Sequence, residues 1–254
     1  MMRWSRRFAL WCVVAVLAAL LVLPARWIMA WTQDTALVRV TDAQGSVWSG
    51  QARLAVGIPG QQRSLPDLLR WHFSLAGGPR LVLMHPWLRG PLDLSLSFNG
   101  LSLSGQSLRA PAAMLTTFHA LFNSLDLGGE LLLQWPDLHL GWRGRPQAVQ
   151  ANVAVLQAQW RAASSALSQV RPLGDYDVSI TAAGAGGYGL QLRTGQGPLF
   201  LQGEGTLSQA GRFQFQGWAW ADPDASSNTQ AALRGLLSAL GPQTGPDGRR
   251  SLRM

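Results

Sequence analysis

Leu92-Asp93-Leu94-Ser95-Leu96-Ser97-Phe98 alternates apolar and polar residues, breaks at Asn99-Gly100, and resumes as Leu101-Ser102-Leu103-Ser104. A period of two is that of a β-strand, whose successive side chains point to opposite faces. Leu92, Leu94, Leu96 and Phe98 are therefore expected on one face, with Asp93 and the serines on the other. Asn-Gly is the favoured centre of a type I′ turn, so this stretch predicts a hairpin with one buried face.

The alternation spreads outward from there, from about Leu37 to the C-terminal region. On the N-terminal side it marks Ser46 to Ser49 leading into Gln51 to Val56, then Arg70 to Leu75 and Arg80 to His85. On the C-terminal side it marks Gly128 to Trp135, Val149 to Trp160, Asp175 to Thr181, Gly189 to Arg193, Leu199 to Leu207 and Arg212 to Trp220. Gly, Pro, Asn or Asp clusters separate most of these runs, as consecutive antiparallel strands require. Two segments break the pattern. Pro111 to Phe122 places Pro at a helix start and apolar residues at helical spacing. Ser227 to Leu240 has N-cap candidates in Ser226, Ser227 and Asn228, and Gly241-Pro242 ends it. The fold class is mainly β: a curved antiparallel sheet or sandwich with one or two short helices. The segment Gly241 to Gly248 is expected to be mobile, and Gly248 to Met254 is too short for a firm final strand.

Composition agrees. Charged residues make up 13% of the 254 residues, against a norm of about 25%. Glu occurs only at Glu130 and Glu204, and Lys is absent, whereas surface helices draw heavily on both. The formal charge of +8 comes from arginines spread singly along the chain, without the stripe that a nucleic-acid binder presents, so nucleic-acid binding is excluded. The single cysteine, Cys12, leaves the rest of the chain without a disulfide or a thiolate metal site.

The N-terminus has a different character. Phe8 to Leu23 is uncharged and continuously apolar, and includes Phe8, Trp11, Leu17 and Leu23. Extended to Ala25 it is just long enough to cross a bilayer core. Arg3, Arg6 and Arg7 precede it and predict a cytoplasmic N-terminus, while Trp27 and Trp31 suit the aromatic belt on the far side. No small-x-small cleavage pattern is evident, which favours an uncleaved anchor over a signal peptide. The expected organisation is a cytoplasmic tip and transmembrane anchor over 1–31, then a periplasmic β-rich domain over 32–254.

Chemistry is hard to find. His72, His85, His119 and His139 show no metal-ligand spacing. Asp175 and Asp177 flank Tyr176 on one side of a strand, but lie near turns and are expected to be solvated. Gly184 to Gly189 fits GxGxxG, yet the residues after it alternate as a strand, so a hairpin loop is expected in place of a dinucleotide site. No catalytic residue, cofactor site or metal site is assigned, and no enzyme activity is expected. The tryptophans of the β region are expected to be half-buried on sheet faces.

Four short stretches together carry a family resemblance. Leu23-Pro24-Ala25-Arg26-Trp27 closes the apolar segment. Gly45-Ser46-Val47-Trp48-Ser49-Gly50-Gln51-Ala52 follows, and about 20 residues later comes Leu69-Arg70-Trp71-His72-Phe73-Ser74-Leu75. The last passage is Leu173-Gly174-Asp175-Tyr176. In order and spacing the chain resembles the type II secretion system protein N family, with Ser46 where Thr is commoner. The resemblance implies an accessory inner-membrane component with a periplasmic domain, partnered by the membrane and by other secretion subunits, and with no catalytic residues. Gly45, Trp48, Gly50, Trp71, Gly174 and Tyr176 become candidates for structure or interaction. The domain also looks related to AsmA-like periplasmic proteins, whose curved sheets can form lipid grooves, so lipid is a possible partner. Trp48, set between Gly45 and Gly50, is expected to be a buried anchor of the first long strand.

Overall fold

Period-two alternation becomes antiparallel strand pairing in most of the described residues after 38. The computed structural model describes residues 11, 14, 18, 22–31, 38–57, 62–75, 77–117, 125–141, 154–183, 187–208, 212–245 and 249–253. Two compact units divide at Pro86 and Trp87. The expected membrane segment, Phe8 to Ala25, lies largely outside the described residues. Among the described residues no helix is long and apolar enough to cross a membrane.

The first unit is a meander. A short helix α1 (Arg26–Trp31) precedes β1 (Val38–Gly45), β2 (Ser49–Val56), β3 (Arg63–Ser74) and β4 (Arg80–Met84). Each strand pairs antiparallel with the next, and Ser49 opposite His72 fixes the register at one end. Its core is small: Ala25, Ala52 and Trp71 are buried, with Ile28, Val40, Ala43, Leu81 and Leu83 packed around them.

The second unit contains β5 (Leu92–Ser97), β6 (Gly100–Leu103), β7 (Gln106–Pro111), β8 (Gly128–Trp135) and β9 (Leu138–Gly141). The strands β10 (Ala154–Ser164), β11 (Gly174–Ala182), β12 (Tyr188–Gln196), β13 (Leu199–Leu207) and β14 (Phe213–Ala221) follow. Helix α2 (Ser227–Leu240) and β15 (Arg250–Arg253) complete it. Eight strands form one sheet in the order β15-β14-β13-β12-β11-β10-β8-β7. Strand β6 pairs with both β5 and β9. The β6–β9 and β7–β8 pairs are consecutive parts of two bent strands. At the bend the Gly105 amide donates to Asp137 Oδ1 at 2.6 Å and the Trp135 indole donates to the Ser104 carbonyl at 3.1 Å.

Helix α2 covers one end of the eight-stranded sheet. Ser226 caps it through the Thr229 amide, and Leu233, Leu236 and Leu237 press onto Leu199, Ala219, Leu173 and Tyr176. Two consecutive turns thus present one apolar stripe, the arrangement that makes a short helix stable in a protein.

Several expectations are corrected. The tight turn of the opening hairpin is centred on Phe98 and Asn99, because Ser97 pairs with Gly100. That shift of one residue puts Phe98 in the turn, fully exposed, instead of on a buried face. Leu94 faces Leu103 and Leu96 faces Leu101, but these leucines are only partly covered and Leu96 is exposed. The helix expected from Pro111 is a 3-10 helix, Ala112–Thr117, while 118–122 lie outside the described residues. Of the segment 241–248, residues 241–245 are described and hydrogen-bonded, with Ser251 donating its amide to the Pro242 carbonyl and Gly245 to the Arg249 carbonyl, while 246–248 lie outside the described residues. A final strand does exist, since β15 pairs with β14 from Ala219 to Gln216.

Leu233 is completely buried. Leu233→Ala is predicted to destabilise the second unit by about 2–5 kcal/mol, the usual cost of such a cavity. Urea melts of wild type and variant measure it.

Candidate functional site

The passage Gly45 to Gly50 is the turn between β1 and β2. Gly45 has φ +92°, a left-handed conformation that side chains disfavour. The Ser46 amide donates to the Ser49 carbonyl at 2.9 Å, and the Ser49 amide donates back to Ser46 Oγ at 3.1 Å. The turn is therefore closed by its own residues.

Trp71 on β3 lies against it. Its ring packs on Gly50, where an added Cβ would fall 2.6 Å from Trp71 Cζ2 and collide with it. Its indole N–H donates to the carbonyls of Val47, at 3.1 Å, and Ser46, at 3.3 Å. Trp71 is 6% exposed. A buried Trp removes about 150–250 Å² from water, worth roughly 4–6 kcal/mol at 25 cal/mol per Å². The ring thus holds the turn by packing and by hydrogen bonding at once.

The passage that closes the apolar run arrives from the N-terminal side. The Ala25 amide donates to the Gly45 carbonyl at 3.0 Å, and the Val47 amide donates to the Leu23 carbonyl at 2.9 Å. Pro24 and Ser46 form a bridge like one rung of a sheet. Ala25 is fully buried beside Ala52 and Trp71, and Ile28 of α1 packs on the same cluster. Leu23-Pro24-Ala25, Gly45 to Gly50 and Leu69-Arg70-Trp71, far apart in sequence, thus meet at one node.

Trp48 does not have the role expected of it. It sits in the turn, not in a strand, and is 37% exposed. Its ring meets Phe73 edge-on, with centroids 5.2 Å apart, and its carbonyl accepts the Phe73 amide at 2.6 Å. The buried anchor is Trp71. Strict alternation carried through Trp48 fails because Ser46 to Ser49 is a turn, which resets the period.

Gly174 and Tyr176 form a node in the second unit. Tyr176 is buried on β11, and its hydroxyl lies 3.0 Å from the Leu199 carbonyl and 3.3 Å from that of Leu173. The Leu173 amide donates to Ala163 and the Leu199 amide donates to Leu173, so three strand ends are tied at one point. Trp160 packs on Tyr176 and donates its indole N–H to Gly128 at 2.9 Å. Burial, with a smaller contribution from the Asp175 carboxylate, holds the Tyr176 hydroxyl well above the usual phenol range. Tyr176 is therefore a neutral hydrogen-bonding strut. Asp175, expected to be solvated, accepts the Ala162 amide at 2.8 Å and the Gln196 side chain at 2.7 Å.

Among the described residues the histidines and acids do not gather at one site. Among the described residues no three His, Cys, Asp or Glu side chains could together hold a metal. His72 is exposed, His139 Nδ1 lies 2.8 Å from Ser102 Oγ, and His119 is outside the described residues. Of the GxGxxG stretch, 184–186 lie outside the described residues, and Tyr188 and Gly189 open β12, a strand in place of the helix N-terminus that a pyrophosphate site needs. A hollow of about 690 Å³ on the polar face of the larger sheet is lined by Gln191, Glu204, Gln214, Gln216 and Arg253 among others. Of the membrane-anchor candidates, Trp11 is helical and exposed and Trp27 is exposed. Trp31 ends α1. Phe8, Leu17, Arg3, Arg6 and Arg7 lie outside the described residues.

Residues 36–253 match the family model described as type II secretion system (T2SS), protein N. No curated protein and no solved structure matches the chain.

Trp71→Ala is predicted to cost about 3–5 kcal/mol, and Trp48→Ala clearly less; thermal melts of the two variants side by side check the order. A second expectation concerns pH. Burial pushes the His85 imidazole below its ordinary value of 6.5, opposed by the charge of Asp67 and a backbone hydrogen bond there. The unfolded chain then binds the proton more readily than the folded one. The stabilisation is present above pH 6.5 and is lost as pH falls through the lower folded value. Melting temperatures of wild type and His85→Asn should diverge as pH falls below 6.5.

Proposed function

This chain belongs to the type II secretion system protein N family, and from that premise we propose that it is an accessory inner-membrane component. One N-terminal helix anchors it, its tip stays in the cytoplasm, and residues 32–254 stand in the periplasm as a scaffold for export of folded proteins. The observation that carries the reading is the Leu23–Ala25 contact with the β1–β2 turn. A cleaved signal peptide or a free linker has no need to be built into the core, whereas a strut that holds a domain at a membrane does. The arginines ahead of the apolar segment supply the orientation. Scattered acids and histidines support a role in assembly over one in catalysis.

A second reading, a lipid-handling module, has one observation in its favour. On one face of the larger sheet the register lines up Leu133, Ala158, Val178, Leu192 and Gly203, with Leu131, Leu156, Ile180, Leu190 and Gly205 in flanking rows. Helix α2 packs at only one end of that face, while Leu207 and Phe213 at the other end are exposed.

A periplasm-active reporter fused at the C-terminus is predicted to be active, and a cytoplasm-only reporter inactive. The full chain extracted in mild detergent should bring other secretion subunits with it in native mass spectra. Bound lipid without subunits would favour the second reading, and an active cytoplasmic reporter would overturn the first.

A further inference from the structure

We propose that the end of the first unit carrying the β1–β2 turn rests on the bilayer surface, with Trp48, Phe73 and Leu75 as its lipid-contacting side chains. The proposal rests on the anchor reading above and adds an interface to it.

The pairing places these residues together. Ser49 pairs with His72 and Ser74 with Arg80, so the β1–β2 turn and the β3–β4 tip lie at the same end of the meander. Leu75 at that tip is 73% exposed and Trp48 in the turn 37%. Phe73, half-buried, packs edge-on against Trp48. Water-exposed apolar side chains of this size, grouped at one end, are an interaction surface or a liability.

The occupant follows from what is tied to that end. Leu23, the last residue of the continuous apolar run, accepts the amide of Val47, the neighbour of Trp48. If that run spans the membrane, Trp48 is within a residue or two of its exit and cannot be far from the headgroups. Trp at such a level has its ring in the interface and its N–H toward water. Charge agrees: Arg26 follows Leu23 by three residues and Arg80 closes the β3–β4 tip, while no acidic residue occurs from Val22 to Trp31 or from Gly45 to Ser49. Arginines suit an anionic inner-membrane surface.

The test uses the full chain in proteoliposomes of phosphatidylethanolamine and phosphatidylglycerol. Cys12 is replaced by Ser, and single cysteines are placed by Leu75→Cys or Ser64→Cys and labelled with an environment-sensitive fluorophore. Ser64 is exposed at the opposite end of β3, about 33 Å from Ser74 at roughly 3.3 Å per residue. Headgroup-nitroxide lipids should quench the label at 75 several-fold more than the label at 64. Trp48→Ser in the Leu75→Cys chain should lower that quenching while thermal melting stays near that of its parent. Equal, weak quenching at both positions in chains that stay with the vesicles after carbonate washing would overturn the surface contact and leave the anchor standing. Loss of the chain from the vesicles would overturn the anchor and the contact together.

Discussion

The indole of Trp71 lying on Gly50 is the constraint on which the first unit depends. Glycine at position 50 leaves room for that ring, and the ring's N–H reaches the carbonyls of Ser46 and Val47. Remove the side chain and the turn loses its packing partner and two acceptor contacts together. Remove the turn and Leu23 to Ala25 lose the amide and carbonyl that hold them. Neither alternation nor composition demands this arrangement; it follows from a large flat ring needing a surface without a Cβ beside it.

The second unit solves a similar problem differently. Tyr176 substitutes a hydroxyl for an indole N–H and ties strand ends instead of a turn. Its neighbours Trp160, Leu199 and Ala219 then form the floor on which α2 packs. In both units an aromatic residue with one polar atom is buried, and that atom meets backbone carbonyls at an irregular point in the sheet. A chain without disulfides in these units draws on such points for rigidity at the strand ends and turns, where ladder pairing stops.

Much of this was legible in the sequence. The bounds of β8 and β13 follow directly from alternation between Gly and Pro signals, and α2 from its caps and leucine stripe. Other elements were hidden for physical reasons. Strands β7 and β9 are halves of bent strands interrupted at Gly105 and Pro136, so each half is too short to show a period. Phe98 and Trp48 continue an alternation that the backbone has already abandoned for a turn. The motif passages could be recognised one by one, but their meeting at a single node depends on pairing between β2 and β3 and on the bridge at Pro24, neither of which a local pattern encodes. A period of two also cannot say whether a face is covered, which is why the leucines of β5 and β6 looked more buried than they are.

The central claim is that the exit of the N-terminal apolar segment is part of the first unit's fold. Amide hydrogen exchange over residues 44–52 tests it, comparing the full chain in detergent with a chain that begins at residue 32. The account predicts strong protection of the Val47 amide in the full chain and its loss in the shortened one, because the Leu23 carbonyl that accepts it has gone. Equal protection in both would contradict the claim and make the contact incidental to the fold.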